Sequence, residues 1–147
     1  MPPEKVSGSR VSHPRAMVAQ MHPMRDPDAY VFCTTSPEAL SAEIVWQSRG
    51  FFREAEGVSL ILPCEAAEAL GLPSALPHFA CITLSVHSAL DGVGLTAAVA
   101  GALAEAGIPC NMVAAFHHDH VFVPIADADR AMQILEALQD STRTGSR

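Results

Sequence analysis

The sequence predicts an α+β fold: ferredoxin-like βαββαβ modules in tandem, the first degenerate, forming an antiparallel sheet with helices on one face. Three observations carry this. Residues 78–140 read as strand, glycine-rich loop, helix, hairpin and helix, the ferredoxin-like order without its fourth strand. Residues 16–77 repeat the outline of a strand pair followed by a short helix, with little residue-level self-similarity. Apolar residues make up 49% of the 147 and charged residues 17%, enough apolar surface for a packed core. Residues 1–15 and 141–147, polar and without apolar period, are expected to be flexible tails.

The second module is the clearer. In Ala80–His87, Ile82, Leu84 and Val86 alternate onto one face, the mark of a half-buried strand. Asp91 suits a helix N-cap, and Leu95, Val99, Ala102, Leu103 and Ala106 form one stripe before Gly107. Asn111–His117 and His120–Ile125 read as strands parted only by His118 and Asp119, hence a tight hairpin. Asp127 or Asp129 opens a last helix with a Met132, Leu135, Leu138 stripe, and residues 139–147 read as a polar tail.

In the first module, Ala16–Met21 allows a turn or two of helix before Pro23, and Tyr30–Thr34 suits a strand. Residues 35–50 are ambiguous, with Pro37–Leu40 a helical turn and Ile44–Trp46 a short strand. Phe51–Glu56 and Val58–Leu62 form two extended pieces meeting at Glu56-Gly57, and Glu65–Leu70 is a short helix stopped by Gly71.

With its fourth strand missing, the second module leaves the outer edge of Ala80–His87 bare, which proteins rarely tolerate. A strand from the first module is the economical cover, and a second chain, giving a homodimer, is the other. The crossover helix places the first and third strands of the module side by side at the centre. Taken as parallel, they bring Ser88, Asn111 and Ile125 to one end of the sheet and the His118-Asp119 turn to the opposite end.

Composition excludes several functions. The formal charge is −7 with no Lys/Arg cluster, so a phosphate-backbone partner finds no basic stripe, and no nucleic acid is expected. No stretch approaches the length of an apolar membrane span, and residues 1–15 lack the apolar region of a secretory signal, so no membrane partner and a cytoplasmic location are expected. Cys33, Cys64, Cys81 and Cys110 are scattered without a C-x-x-C pair and read as small buried hydrophobes.

The feature that points to a ligand is Ser88–Leu95. A helix start offers amides with no intrahelical partner at the positive end of the dipole, and Gly92 and Gly94 allow close approach. With Asp91 as N-cap, an isolated anion is disfavoured and a zwitterion suits better, its ammonium near Asp91 and its carboxylate on the remaining amides. The candidate ligand residues are Ser88, Leu90, Asp91, Gly92, Val93, Gly94, Leu95 and Asn111. The competing reading is an ordinary capped helix with glycines for close packing.

His117-His118-Asp119-His120 could ligate zinc, but neighbouring strand residues point to opposite faces, and an exposed hairpin tip explains most of the cluster. No catalytic residue, metal or cofactor is assigned: nucleotide and G-x-S-x-G motifs are absent, and His87 and Ser88 are strand neighbours that point apart.

Four separated stretches, Phe52–Leu60 (FREAEGVSL), Ile82–Ser88 (ITLSVHS), Val93–Val99 (VGLTAAV) and His118–Val123 (HDHVFV), together resemble a bacterial family of small tandem ACT-like proteins over Tyr30 to Leu138. The resemblance implies two ACT-type modules, the first rudimentary, that bind an amino acid or similar effector at the Ser88–Leu95 loop and signal to a separate protein partner. Ala89 and Gly92 depart from the Ser and Ala of that pattern, and His117 replaces an aromatic. The expectation is a non-catalytic amino-acid sensor. The alternatives are a structural oligomerisation module, motivated by the bare edge, and a metal-dependent enzyme at His117–His120.

Overall fold

The computed structural model describes residues 13–86 and 90–145. Six strands form one antiparallel sheet in the order β2-β3-β1-β4-β6-β5. The first half runs α1 (Pro14–Ala19), β1 (Pro23–Thr35), α2 (Ala42–Gln47), β2 (Gly50–Glu54), β3 (Gly57–Pro63) and α3 (Cys64–Ala69). The second runs β4 (Phe79–Leu84), α4 (Leu95–Glu105), β5 (Asn111–Ala114), β6 (Asp119–Pro124) and α5 (Ala128–Thr144).

From β1 onward each half is βαββα, and the halves meet through their first strands. β1 pairs with β4 from Pro23↔Leu84 to Tyr30↔Phe79, and with β3 from Tyr30↔Pro63 to Thr35↔Val58. The first strand of each half thus sits where the other's fourth strand belongs. The edge of β4 is covered from within the chain, and the edges left are β2 and β5. One irregularity between Arg25 and Ala29 lets β1 serve both partners, and Pro27, which has no N–H for a ladder, lies inside it.

The alternation read from the sequence sorts the core. On the helix face, Ala80, Ile82 and Leu84 of β4 pack with Val121 and Val123 of β6 against Val99 and Leu103 of α4 and Leu135 of α5. Val31, Val58, Leu60 and Leu62 pack against Ile44 of α2 and Ala67 of α3. On the other face Tyr30, Cys81 and Phe122 form an aromatic patch, with Tyr30 and Phe122 edge-to-face at 5.8 Å. The first half is the slighter one: α2 and α3 have six residues each, against eleven in α4 and seventeen in α5.

Four expectations need correction. Ile44–Trp46 is helical, because Ser41 accepts from the Ile44 amide and caps α2. The hairpin turn spans residues 115–118 rather than two residues, closed by the Ala115 amide on the His118 carbonyl at 3.0 Å. The polar residues after Leu138 continue α5 to Thr144 instead of forming a tail. Gln139 is buried there and accepts the His22 amide at 3.0 Å, while Arg143 Nε donates to the Ala19 carbonyl at 2.8 Å.

The fourth concerns strand direction. β4 and β6 are antiparallel, from Phe79↔Pro124 to Leu84↔Asp119. The crossover helix brings the second strand of a module back parallel to the first, and the hairpin then reverses the third. The turn before Asp119 therefore lies at the end of the sheet where β4 runs into the glycine-rich loop.

Among the described residues no helix is long and apolar enough to cross a membrane. The four cysteines are free thiols whose pKa values burial pushes up, which keeps them protonated and unreactive.

Candidate functional site

β4 delivers the chain to the loop at Leu84, and α4 begins at Leu95. The N-cap of α4 is Gly94, at φ 108° and with no side-chain cap, so the expectation that Asp91 caps this helix is wrong. The intervening residues run as a turn at Leu90 and Asp91 followed by irregular chain, and Asp91 is solvent-exposed. Only glycine fits the N-cap comfortably: a Cβ there would lie 2.9 Å from the Pro14 Cβ. A glycine N-cap has no side chain of its own to place on the first-turn amides of α4.

A small cavity of about 130 Å³ opens at this point. Leu90, Gly92, Gly94 and Thr96 line one side, and Met17, Ala114 and Asp119 the rest. Asp119 is half-buried at the start of β6. His118 approaches the same loop, with Nδ1 3.4 Å from the Val86 carbonyl. The loop and the histidine turn, expected at opposite ends of the sheet, thus share one site.

Of the residues singled out from the sequence, Leu90, Gly92, Gly94 and Leu95 lie around this cavity. Val93 is in the loop but 74% exposed. Ser88 lies outside the described residues. Asn111 does not belong here: it pairs with Phe122, which pairs in turn with Cys81, toward the other end of the sheet. The error has the same source as the strand direction. Asp119 was singled out only for a metal or a turn; the H-D-H stretch was visible, but placing it required knowing that β4 and β6 run oppositely.

Chemically the cavity joins a carboxylate to a helix N-terminus whose N-cap is a glycine. An ammonium suits the first and a carboxylate the second. Among the described residues no three His, Cys, Asp or Glu side chains gather as a metal site. His120 is instead engaged through Nδ1 with Thr83 Oγ1 at 2.9 Å, and the His117 ring packs edge-to-face on Phe116 at 5.0 Å. A wider hollow of about 540 Å³ lies by β1, α2 and α3, but its charged lining is carboxylate: Asp28, Glu43 and Glu65.

Comparison with known proteins follows the division into halves. Residues 15–78 and 78–137 each match a family model described as an ACT domain. A Vibrio cholerae protein of solved structure, titled as of unknown function and a possible transport protein, is 44% identical over 82% of this chain and 91% of its own, with a TM-score of 0.72. An Agrobacterium tumefaciens protein is 20% identical over 76% of this chain and 84% of its own, at 0.56. The regulatory subunit of aspartate kinase from Thermus thermophilus is 13% identical over 79% and 95%, at 0.53, a likeness of fold. No curated protein gave a significant match.

Proposed function

The chain belongs to the ACT-domain family, with two modules in tandem, and from that premise we propose that it is a non-catalytic regulatory protein that binds an amino acid or a similar zwitterion at the Leu90–Leu95 loop. The observation that carries the reading is the meeting of the glycine-capped α4 N-terminus with Asp119 across one small cavity. The α-carboxylate accepts from the first-turn amides of α4, and the α-ammonium pairs with Asp119. Asp119 takes over the role first given to Asp91, which is exposed and does not line the cavity. At about 130 Å³ the cavity suits a small side chain better than an aromatic one. ACT domains serve regulation, and the similarity to an aspartate kinase regulatory subunit supports that role, with a separate protein as the target of the signal.

The test is a thermal-shift panel of the common amino acids. A ligand at about 100 times its dissociation constant adds roughly 2.7 kcal/mol of stability, a shift easily read. The reading predicts a response to a small amino acid that Asp119→Asn abolishes and Asp91→Asn preserves. It fails if no amino acid alters melting, or if Asp119→Asn responds like the parent chain.

A further inference from the structure

The six-stranded sheet bends until its two edges face each other. Gly50, Phe51, Phe52 and Glu54 of β2 and residues 113–115 around the end of β5 line one trough of about 530 Å³, on the face away from the helices. Pockets for small organic ligands span roughly 300–1,000 Å³. The floor of the trough is apolar, with Ile61, Val113 and Phe122 beside Phe32, whose ring meets Phe122 edge-to-face at 5.3 Å. Phe32 stays 41% exposed and Phe52, on the rim, 73%. Exposed phenyl rings gathered in a concavity are an unspent binding surface.

One end of the trough is polar. Arg49 NH1 donates to Asp26 Oδ2 at 2.8 Å and to the Tyr30 hydroxyl at 3.1 Å, and NH2 lies 3.4 Å from Thr83 Oγ1. Thr83 Oγ1 is in turn 2.9 Å from His120 Nδ1. A guanidinium only donates, so the Thr83 oxygen receives from Arg49, and its own proton can go to His120 Nδ1. Burial, with Arg49 and His118 nearby, pushes the His120 pKa down and favours the neutral ring, which carries its proton on Nε2 when Thr83 donates to Nδ1. In that tautomer the end of the trough offers a partly exposed guanidinium and an N–H. The Asp26 carboxylate is already taken by Arg49, the Asp28 amide and the Tyr30 hydroxyl. The carboxylate of the lining, Glu54, sits at the far end of β2 with the Ser59 hydroxyl donating to it.

We propose that this trough binds a small aromatic carboxylate, its ring against Phe32 and Phe122 and its carboxylate on Arg49 and His120. Charge complementarity selects that occupant. A purely apolar guest, or the apolar face of a second copy, would desolvate the guanidinium and the imidazole N–H without giving them acceptors. An aromatic amine would set its charge against Arg49. The trough lies on the face of the sheet away from the helices, so this site stands or falls apart from the amino-acid reading of the α4 loop.

The experiment is a two-dimensional NMR titration of the whole chain with indole-3-acetate and its neutral amide as matched probes. The acid is expected to shift resonances of Phe32, Val113 and His120, and the amide to bind about tenfold more weakly, the worth of one charge-assisted hydrogen bond. Arg49→Gln should erase the difference between acid and amide. Thr83→Val, which cuts the relay and removes no charge, should narrow it. Phe52→Ser should weaken both probes while leaving the melting temperature near that of the parent. Absence of shifts at millimolar probe overturns the proposal, as does equal affinity for acid and amide, or shifts confined to residues 90–96. A concentration-dependent dimer that Phe52→Ser abolishes also overturns it, because the trough is then an interface between copies.

Discussion

Asp119, the first residue of β6, stands directly across the antiparallel ladder from Leu84, the last residue of β4. That one pairing decides which side chains can share a ligand with the α4 loop. Asn111, near the other end of the β5–β6 ladder, cannot. Asn111→Ala is therefore expected to leave the amino-acid response within twofold of the parent, about 0.4 kcal/mol at most. Calorimetric titration checks this, and a tenfold loss would mean the ligand lies elsewhere.

Gly94 is expected to be intolerant of any side chain. Gly94→Ala places a Cβ 2.9 Å from Pro14 at a backbone φ of 108°. The strain costs on the order of 1–3 kcal/mol, which for a chain of this size lowers the melting temperature by roughly 2–4 °C per kcal/mol. Gly101→Ala is the matched control. It sits inside α4 with nothing within 4 Å of the added Cβ, so it should raise stability by about 0.4–1 kcal/mol. Equal effects from the two would refute the conformational argument.

These contrasts show what was legible in the sequence. Local patterns located β2 to β6 in outline, β3 most clearly by its alternation onto a buried face, with breaks at Gly57, the glycine-rich loop and the β5–β6 turn; of β1 they gave only Tyr30–Thr34, and they read the helical Ile44–Trp46 as a strand. The bare edge of β4 likewise pointed to cover by a strand of the first half, which β1 supplies. The site was half legible. Glycines and a helix start marked the loop, but the cap assignment failed because Asp91 is the better capping residue by type while the chain turns into α4 only at Gly94. Arg49 and Asp26 carried no local signal at all, since their pairing joins residues that only the β1 irregularity and the bend of the sheet bring together.

The polar end of α5 gives a third prediction. Gln139 accepts the His22 amide in a partly buried setting, and Arg143 closes on the Ala19 carbonyl, so residues that read as tail tie α5 to α1. Gln139→Ala strands a backbone N–H, at a cost of roughly 1–3 kcal/mol. Removal of residues 139–147 should cost at least as much. Chemical denaturation of both variants checks this; a truncated chain as stable as the parent would make these contacts dispensable.

The last prediction concerns pH, and two groups set its sign. His120 titrates lower in the folded chain than its ordinary 6.5, because burial, Arg49 and His118 disfavour the imidazolium more than Asp119 favours it. The unfolded chain then binds more protons, so stability rises with pH across this interval. The contribution of His120 is complete above 6.5 and is lost as pH falls toward its folded value. Asp26 acts in a lower window. Burial works against its charge, but the Asp28 amide, the Tyr30 hydroxyl and Arg49 outweigh it and hold the carboxyl below 3.8. Its contribution is complete above 3.8 and is lost as pH falls through the folded value. Tyr30, pushed up to about 12 by burial and by Asp26, stays protonated throughout and keeps its proton on that carboxylate. Melting temperature should therefore decline in two steps on acidification, one beginning near pH 6.5 and one near pH 3.8. His120→Gln, which can still accept from Thr83, should flatten the first step. Asp26→Asn should lower stability at neutral pH and converge on the parent below the second. A variant His120→Gln that retains the full upper step would assign that proton uptake to another group and remove the neutral imidazole on which the Arg49–Thr83–His120 relay depends.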